Sequence, residues 1–475
     1  MAKGKSKSQK KLRRMGIGLL LVLLLVVLVL PAGVGMMAEG RYKQMWSAMF
    51  AAEPGFSAQV TDFERGWFSS TARVSLQVDD AFLGELIQEM GWADEQPDGQ
   101  GPIIEIDERV HHGPIPFTAP APFHQRWRPG FAVVESRLGD SLPAVSEHGI
   151  DLQSTTHLGL TGSLRGHLRV AAFDVAVEDE LRLVNEGELL LDFQANRNLD
   201  RVSMRLRGGA LHLADADGYG VHLQSPWLDV SQRRGPSDIW VGGSELRLAA
   251  IEMRLPGEGP NTMRGLMWAT DTRESNDLLT QSHEIQIDAL QADEFEAGPL
   301  LMDIDLFNLH PESLSRLQVA SSELRLDDPE SIDQDIGALM EPILDLITHE
   351  PGLRLQQLQL SLPGGMIEAD GQAKARPMDR AQLEGFLAEA AWFRMMDGEL
   401  QLSTSRELAR RALAMWTLGG PLDEEADEAS LRLMDSQLDA AIAQDMLLET
   451  DDGLAIHIEL ADGVLFINER EILRF

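Results

Sequence analysis

The adjacent pair His111-His112 is the first place in the chain where side-chain types invite metal chemistry, because imidazoles are common ligands. Neighbouring residues of a strand point to opposite faces, so the pair is poorly placed to chelate one ion. A strand-end histidine followed by a turn at Gly113-Pro114 is the better reading. Asp215-Ala216-Asp217-Gly218 opens like a calcium loop. The bidentate acid such a loop needs at its twelfth position is missing, since Ser225 and Pro226 stand there, which leaves a hairpin turn. The acidic run Asp423–Glu428 precedes an expected helix, where negative charge suits the helix dipole; a solvated face is the plain reading and weak divalent-cation binding the sharper one. Carboxylates are too abundant for one pair to stand out as general acid and base, and no nucleophile elbow, H-E-x-x-H or P-loop is present. The expectation is a non-enzymatic protein with no catalytic residue, no cofactor and no metal.

The segment with most to say is Arg65-Gly66-Trp67-Phe68. Residues alternate in polarity on both sides of Arg65-Gly66, which reads as a β-hairpin with Gly66 supplying turn dihedrals that other residues resist. Two readings stand for its aromatics. Either Trp67 and Phe68 are exposed at the tip as a contact for a partner or a bilayer surface, or Trp67 folds back onto the core.

These residues belong to a chain of 475 residues with a formal net charge of −35, no cysteine and 44% hydrophobic residues. The apolar fraction suffices for a real core, and the absence of cysteine removes disulfides, thiolate nucleophiles and thiolate metal sites together. Positive charge is concentrated at the start, in Lys3, Lys5, Lys7, Lys10, Lys11, Arg13 and Arg14; the only later lysines are Lys43 and Lys374. The acidic remainder repels nucleic acid and is not expected to bind it.

Met15 to Ala38 carries no charged residue. As a helix those roughly 24 residues would span about 36 Å, enough for a bilayer core of about 30 Å. The basic cluster just before the run keeps residues 1–14 cytoplasmic and sends everything after residue 38 across the membrane. The competing reading is a cleaved signal peptide, with Gly33 and Gly35 as small residues near its end. An uncleaved single-pass anchor over 15–38 is favoured, because the apolar stretch continues past Pro31 and offers no clean A-x-A site.

Residues 39–56 form a connector in which Tyr42, Met45, Trp46, Met49 and Phe50 recur at helical spacing. It reads either as an interfacial segment or as a helix docked on the body. A short helix is expected over 80–92. A β-rich region follows over 57–330, with strands read at 103–117, 163–171, 179–184, 188–194, 202–206, 209–213, 219–224, 246–255, 284–292, 300–306 and 322–326. An α+β region over 331–475 continues it. There Asp335–Ile347, a helix capped by Ser405 through about Thr417, and Asp427–Leu448 are helical. Strands lie at 353–362, 397–402, 454–460 and 464–467, the last two closed by an Asp462-Gly463 turn. Short strands separated by turn signals, without βαβ alternation, define the fold class as mainly β with α (α+β), built on long antiparallel sheets. Strand–helix–strand grammar recurs loosely around 300–349 and 397–449.

Phe63-Glu-Arg-Gly-Trp-Phe-Ser-Ser-Thr-Ala72, just after an N-terminal anchor, resembles the signature of the bacterial YdgA-like family, with Phe63 where tyrosine is more usual. His112-Gly113-Pro114, Asp305-Leu-Phe-Asn-Leu309 leading into Leu314 and Leu317, and the terminal Asp462–Asn468 are similar to further family features. The resemblance implies a protein of the Gram-negative inner membrane with a β-rich periplasmic body and no established activity, and it carries over no catalytic residue. The expected function is a membrane-anchored envelope scaffold or interaction protein, partnered by a second copy of itself or by another envelope protein. The alternative is a lipid-binding or lipid-bridging module with an apolar groove in a curved sheet. A hydrolase is the third and least supported reading.

Overall fold

The computed structural model describes residues 39–40, 42–46, 56–78, 103–113, 129–137, 150–177, 181–215, 218–257, 259–292, 295–322, 332–378, 394–418, 428–451 and 453–475. The basic tail, the apolar run 15–38 and the helix expected at 80–92 lie outside them, as do residues 114–117 of the strand expected at 103–117. Among the described residues no helix is long and apolar enough to cross a membrane. The chain divides into two compact units at Asp217/Gly218, inside the region read from sequence as one β-rich block over 57–330.

The first unit is antiparallel throughout. Its strands are β1 (Phe56–Arg65), β2 (Ser69–Val78), β3 (Ile103–His112), β4 (Gly130–Arg137), β5 (Leu152–Gly159), β6 (Leu164–Val170), β7 (Phe173–Val177), β8 (Leu181–Asn185), β9 (Leu189–Ala195), β10 (Arg201–Arg207) and β11 (Leu211–Asp215). β1 to β6 pair in sequence order, β9 follows β6 and β10 follows β9. A ribbon of β7, β8 and β11 forms beside that run. Alternation explains the faces: Ala72, Val74, Ile106, Val110, Ala132 and Val134 turn inward and are buried, while Thr71, Arg73, Asp107 and Arg109 turn outward. A bulge between Val60 and Asp62 shifts β1 by one residue. Phe63 thereby joins Ala58 and Val60 on the apolar face. Residues 42–46 are helical and close that face, with Tyr42 and Met45 buried in the same cluster.

The second unit has a long sheet and two helical pairs. Its elements are β12 (Gly220–Gln224), β13 (Trp227–Arg234), β14 (Trp240–Arg254), β15 (Asn261–Ser275), β16 (Leu278–Ile287), β17 (Ala289–Ala292), β18 (Phe295–Ala297), β19 (Leu300–Leu309), α1 (Pro311–Ser322), α2 (Ile332–Ile347), β20 (Gly352–Leu362), β21 (Gly365–Ala375), β22 (Met396–Thr404), α3 (Arg406–Leu418), α4 (Glu428–Ala443), β23 (Leu448–Thr450), β24 (Gly453–Ala461), β25 (Val464–Ile467) and β26 (Arg470–Arg474). The sheet runs β14, β15, β16, β19, β20, β21, β22, β24, β25, β26, all antiparallel. β12 and β13 share the outer side of β14. Asp462 and Gly463 both take positive φ (53° and 73°), the two-residue hairpin geometry expected of Asp-Gly.

The loose repeat in the sequence is a repeat in space. Strand, helix, helix, strand, turn, strand occurs as β19-α1-α2-β20-β21 and again as β22-α3-α4-β24-β25, with only β23 added in the second. In each, the two strands flanking the helices are direct antiparallel neighbours. Each first helix starts one residue after its strand. Ser405 Oγ accepts from the Leu408 amide at 3.2 Å, and His310 Nδ1 from the Ser313 amide at 3.4 Å. Shortly past the end of each second helix stands a residue of positive φ, Glu350 (54°) or Asp445 (56°), whose carbonyl accepts from an asparagine amide: Asn308 at 3.1 Å, Asn468 at 2.9 Å.

Two expectations need correction. Of the strand read at 322–326, Ser322 is instead the last residue of α1 and residues 323–326 lie outside the described residues; Pro311 at the first helical position with Glu312 behind it was the missed start signal of α1. The helix read as far as Leu448 stops at Ala443, because Asp445 leaves helical space and Leu448 already belongs to β23.

Ser405 both caps α3 and donates to the Gly364 carbonyl at 2.7 Å. Ser405→Ala is expected to cost about 1–2 kcal/mol in urea unfolding of the full chain in detergent, with the slope against denaturant unchanged.

Candidate functional site

The two sequence motifs singled out, Arg65–Phe68 and His112-Gly113, meet at one end of the first unit's sheet. β2 and β3 pair so that Ser69 faces His111, and the His112 amide donates to the Phe68 carbonyl at 3.0 Å. The Gly113 amide continues the pattern to the Phe131 carbonyl of β4 at 3.2 Å. Pro114 lies outside the described residues. Gly66 is required for a different reason from the one expected. Its φ lies outside the left-handed region, but a Cβ there would sit 2.2 Å from the Ser69 carbonyl oxygen, so the turn closes too tightly for any side chain. Trp67 is 53% exposed at the tip and Phe68 half-buried. Of the two readings of the aromatics, the structure places Trp67 outward, not on the core.

Arg65 turns the other way and grips the connector. Its guanidinium donates to Glu39, to which Lys43 also donates at 3.0 Å. The two cations hold the Glu39 carboxyl below the usual carboxylate range. Lys43 lies 6.0 Å from the Phe63 ring centroid, and Tyr42 packs on Phe63 with ring centroids 5.8 Å apart. Residues 39–40 and 42–46 of the connector therefore dock on the sheet, as one of its two readings had it; residues 47–55 lie outside the described residues.

Beneath the connector is the feature that sequence reading missed. Glu108 occupies a β3 position on the apolar face and is buried. One of its carboxyl oxygens accepts from the Tyr42 hydroxyl and, at 3.3 Å, from Trp46 Nε1; the other accepts from the Ser136 hydroxyl. Ser136 is Glu108's register partner on β4. Burial pushes the Glu108 pKa up, against the pull of Ser136, Tyr42 and Trp46. Burial, then the charge of Glu108, likewise raises the Tyr42 phenol. The signal was legible in principle: Glu108 has the parity of Ile106 and Val110 in the β3 alternation.

His111 and His112 are both buried, on opposite faces of β3. His111 Nε2 lies 3.4 Å from Glu135, and its pKa is lowered by burial, with Glu135 opposing. The outward face beside them carries a depression of about 470 Å³ lined by Asp62, Glu64, Arg73, Asp107, Arg109 and Glu135. Arg73 donates to Asp107 there at 2.9 Å. A second depression, about 530 Å³, lies on the other unit over β20 to β24 and has a mixed lining, with Gln359, Glu368 and Gln401 beside Leu358, Leu402 and Ile456.

One further cluster superficially resembles catalytic machinery. The Ser313 hydroxyl lies 2.7 Å from His310 Nδ1 and donates to Asp345 at 2.5 Å, and His310 stacks on His349 at 4.0 Å. Ser313 is fully buried and bonds the carboxylate directly, with no imidazole between them to act as base. The cluster joins the start of α1 to the end of α2. Ser313, then Arg316, hold the Asp345 carboxyl below its ordinary range. Among the described residues no group of three or more His, Asp and Glu side chains is arranged to hold a metal.

The chain belongs to a family of bacterial proteins of unknown function, DUF945, whose model matches residues 9–473. No curated protein and no solved structure matches it significantly.

The geometry at Glu108 generates a pH prediction. A carboxyl whose pKa is raised on folding holds its proton more tightly in the folded state. Its contribution is complete below the ordinary value of 4.5 and is lost as pH climbs through the raised one. A glutamine can accept from Tyr42 and Trp46 through its oxygen and donate to Ser136 through its nitrogen. Glu108→Gln is therefore expected to gain thermal stability over the unmodified protein progressively above about pH 4.5. Glu108→Ala, which strands the Tyr42, Trp46 and Ser136 donors, should lose about 2–4 kcal/mol at pH 5.

Proposed function

We propose that this chain is a single-pass envelope protein. In this reading residues 15–38 span the inner membrane and the two β-rich units stand on the periplasmic side as a non-enzymatic scaffold. The observation that carries it is the double latch on the connector. Glu39 is the first residue after the uncharged run, and Arg65 grips it; three and seven residues further on, Tyr42 and Trp46 bond the buried Glu108. A body on a loose tether would not need the residues just after the uncharged run wired into its core. A body that must hold a fixed position against the membrane would. In the first depression Arg73 donates to Asp107, a pairing that suits a surface better than a reaction centre.

A second reading, lipid contact by the body, is favoured by one feature of the second unit. Val221 and Met253 are direct cross-strand partners on β12 and β14, both exposed, with Leu255 exposed on the same side of β14. That is an apolar patch rather than a groove, and it suits a protein partner or a second copy equally.

Protease added to intact spheroplasts is expected to degrade the body and spare only the tail and span; protection of the whole chain would overturn the topology. Native mass spectrometry of the full chain, gently extracted, separates the readings of the body. A dimer or a bound protein supports the scaffold, whereas a stoichiometric lipid retained after the anchor is clipped off supports the lipid module.

A further inference from the structure

We propose that one end of the first unit's sheet, the end bearing Trp67 and Leu160, lies in the interfacial layer of the bilayer that residues 15–38 enter. The inference rests on the anchored reading above and adds to it a contact surface and an orientation.

Chain continuity supplies the first argument. The uncharged run ends at Ala38, so Glu39 is where the chain would leave the apolar layer. Arg65 bonds Glu39 directly, and Trp67 is two residues beyond Arg65, at most about 7 Å further along the chain. The hairpin tip is therefore held beside the point of emergence. What it presents there is an indole, 53% exposed, in a turn whose geometry admits only glycine before it. Tryptophan is enriched at the membrane–water boundary, where an apolar ring with one N–H donor satisfies both phases.

Register supplies the second, independent argument. Starting from the Trp67 tip, Ser69 of β2 pairs with His111 of β3, His112 with Ala132 of β4, Ala132 with Leu158 of β5, and Leu158 with Leu164 of β6. The β5–β6 turn thus projects from the same end of the sheet as the β1–β2 turn, about 19 Å away at four strand spacings. That turn carries Leu160, 51% exposed. The next turn at this end, between β9 and β10, carries exposed Arg197 beside Gly162. A tryptophan, a leucine and an arginine on three turns of one sheet end compose an interfacial edge; the β3–β4 connection at the same end runs outside the described residues. The body's net negative charge keeps its faces from lying flat on anionic lipid, so contact is confined to this edge.

The absence of cysteine makes the test clean. Trp67→Cys, Leu160→Cys and Ser57→Cys variants of the full chain would each be labelled with an environment-sensitive fluorophore. They would then be reconstituted into phosphatidylcholine–phosphatidylglycerol vesicles carrying nitroxide lipids. Ser57 sits at the far end of β1, about 30 Å from the tip, and is exposed. The expected result is that the protein floats with the vesicles, that probes at 67 and 160 shift to the blue and are quenched at least about twofold by shallow nitroxides, and that the probe at 57 is not. Floating protein whose probes at 67 and 160 behave like the one at 57 overturns the inference while leaving the anchor intact. Protein that fails to float with the vesicles overturns the anchored reading, and this inference with it.

Discussion

A carboxyl group on the apolar face of a sheet is a liability that only hydrogen bonds can offset. Glu108 meets that condition with donors from two separate stretches of chain: Tyr42 and Trp46 from the connector and Ser136 from β4. An ionised carboxylate buried without partners would cost several kcal/mol, so the apolar face cannot be closed by just any amphipathic segment. It is closed by the segment carrying a phenol and an indole N–H at positions 42 and 46, four residues apart on one helical face. The packing of Met45, Val74, Ile106 and Val134 follows from that placement. So does the approach of Glu39 to Arg65 at the hairpin tip.

The second unit meets a different constraint twice by the same means. A helical pair inserted between two neighbouring antiparallel strands must return the chain to the start of the next strand in register. Each insertion does so with a cap one residue after the first strand and a left-handed residue after the second helix. An asparagine amide holds the carbonyl of that residue in both cases. Asn308 comes from the strand before its helices, whereas Asn468 comes from the strand region after them. The same bond is therefore reached from opposite directions in the chain. Common end chemistry in two insertions with little visible sequence likeness explains why the repeat was faint in the residues and plain in the pairing.

In the first depression Arg73 and Asp107 bond each other, and the Ser313–His310–Asp345 grouping joins the start of α1 to the end of α2. Membership in DUF945 assigns no reaction. What the two units offer instead is surface: an acidic outward face, an exposed apolar pair on β12 and β14, and a sheet end with an aromatic tip. These features are the ones on which the scaffold reading proposed above rests.

Much of this was legible in the residues because it depends on local periodicity. The Arg65-Gly66 hairpin, the Asp462-Gly463 turn, the Ser405 cap and most strands follow from alternation and turn chemistry within a few positions. The missed α1 start and the overlong last helix failed for different reasons. The α1 start had a local signal in Pro311-Glu312 that was passed over, whereas the end of the last helix is fixed by Asn468 holding the Asp445 carbonyl from across a strand pair. The candidate site divides along the same line. Sequence by itself determined that Arg65–Phe68 forms a tight turn, that the chain is acidic and cysteine-free, and that an uncharged run precedes the β-rich body. Only tertiary structure decided that Trp67 points outward, that Arg65 reaches back 26 residues to Glu39, and that Glu108 is buried against Tyr42, Trp46 and Ser136. Pairing between segments far apart in the chain is set by the register of the whole sheet, and no local pattern encodes which distant donor a buried acid will find.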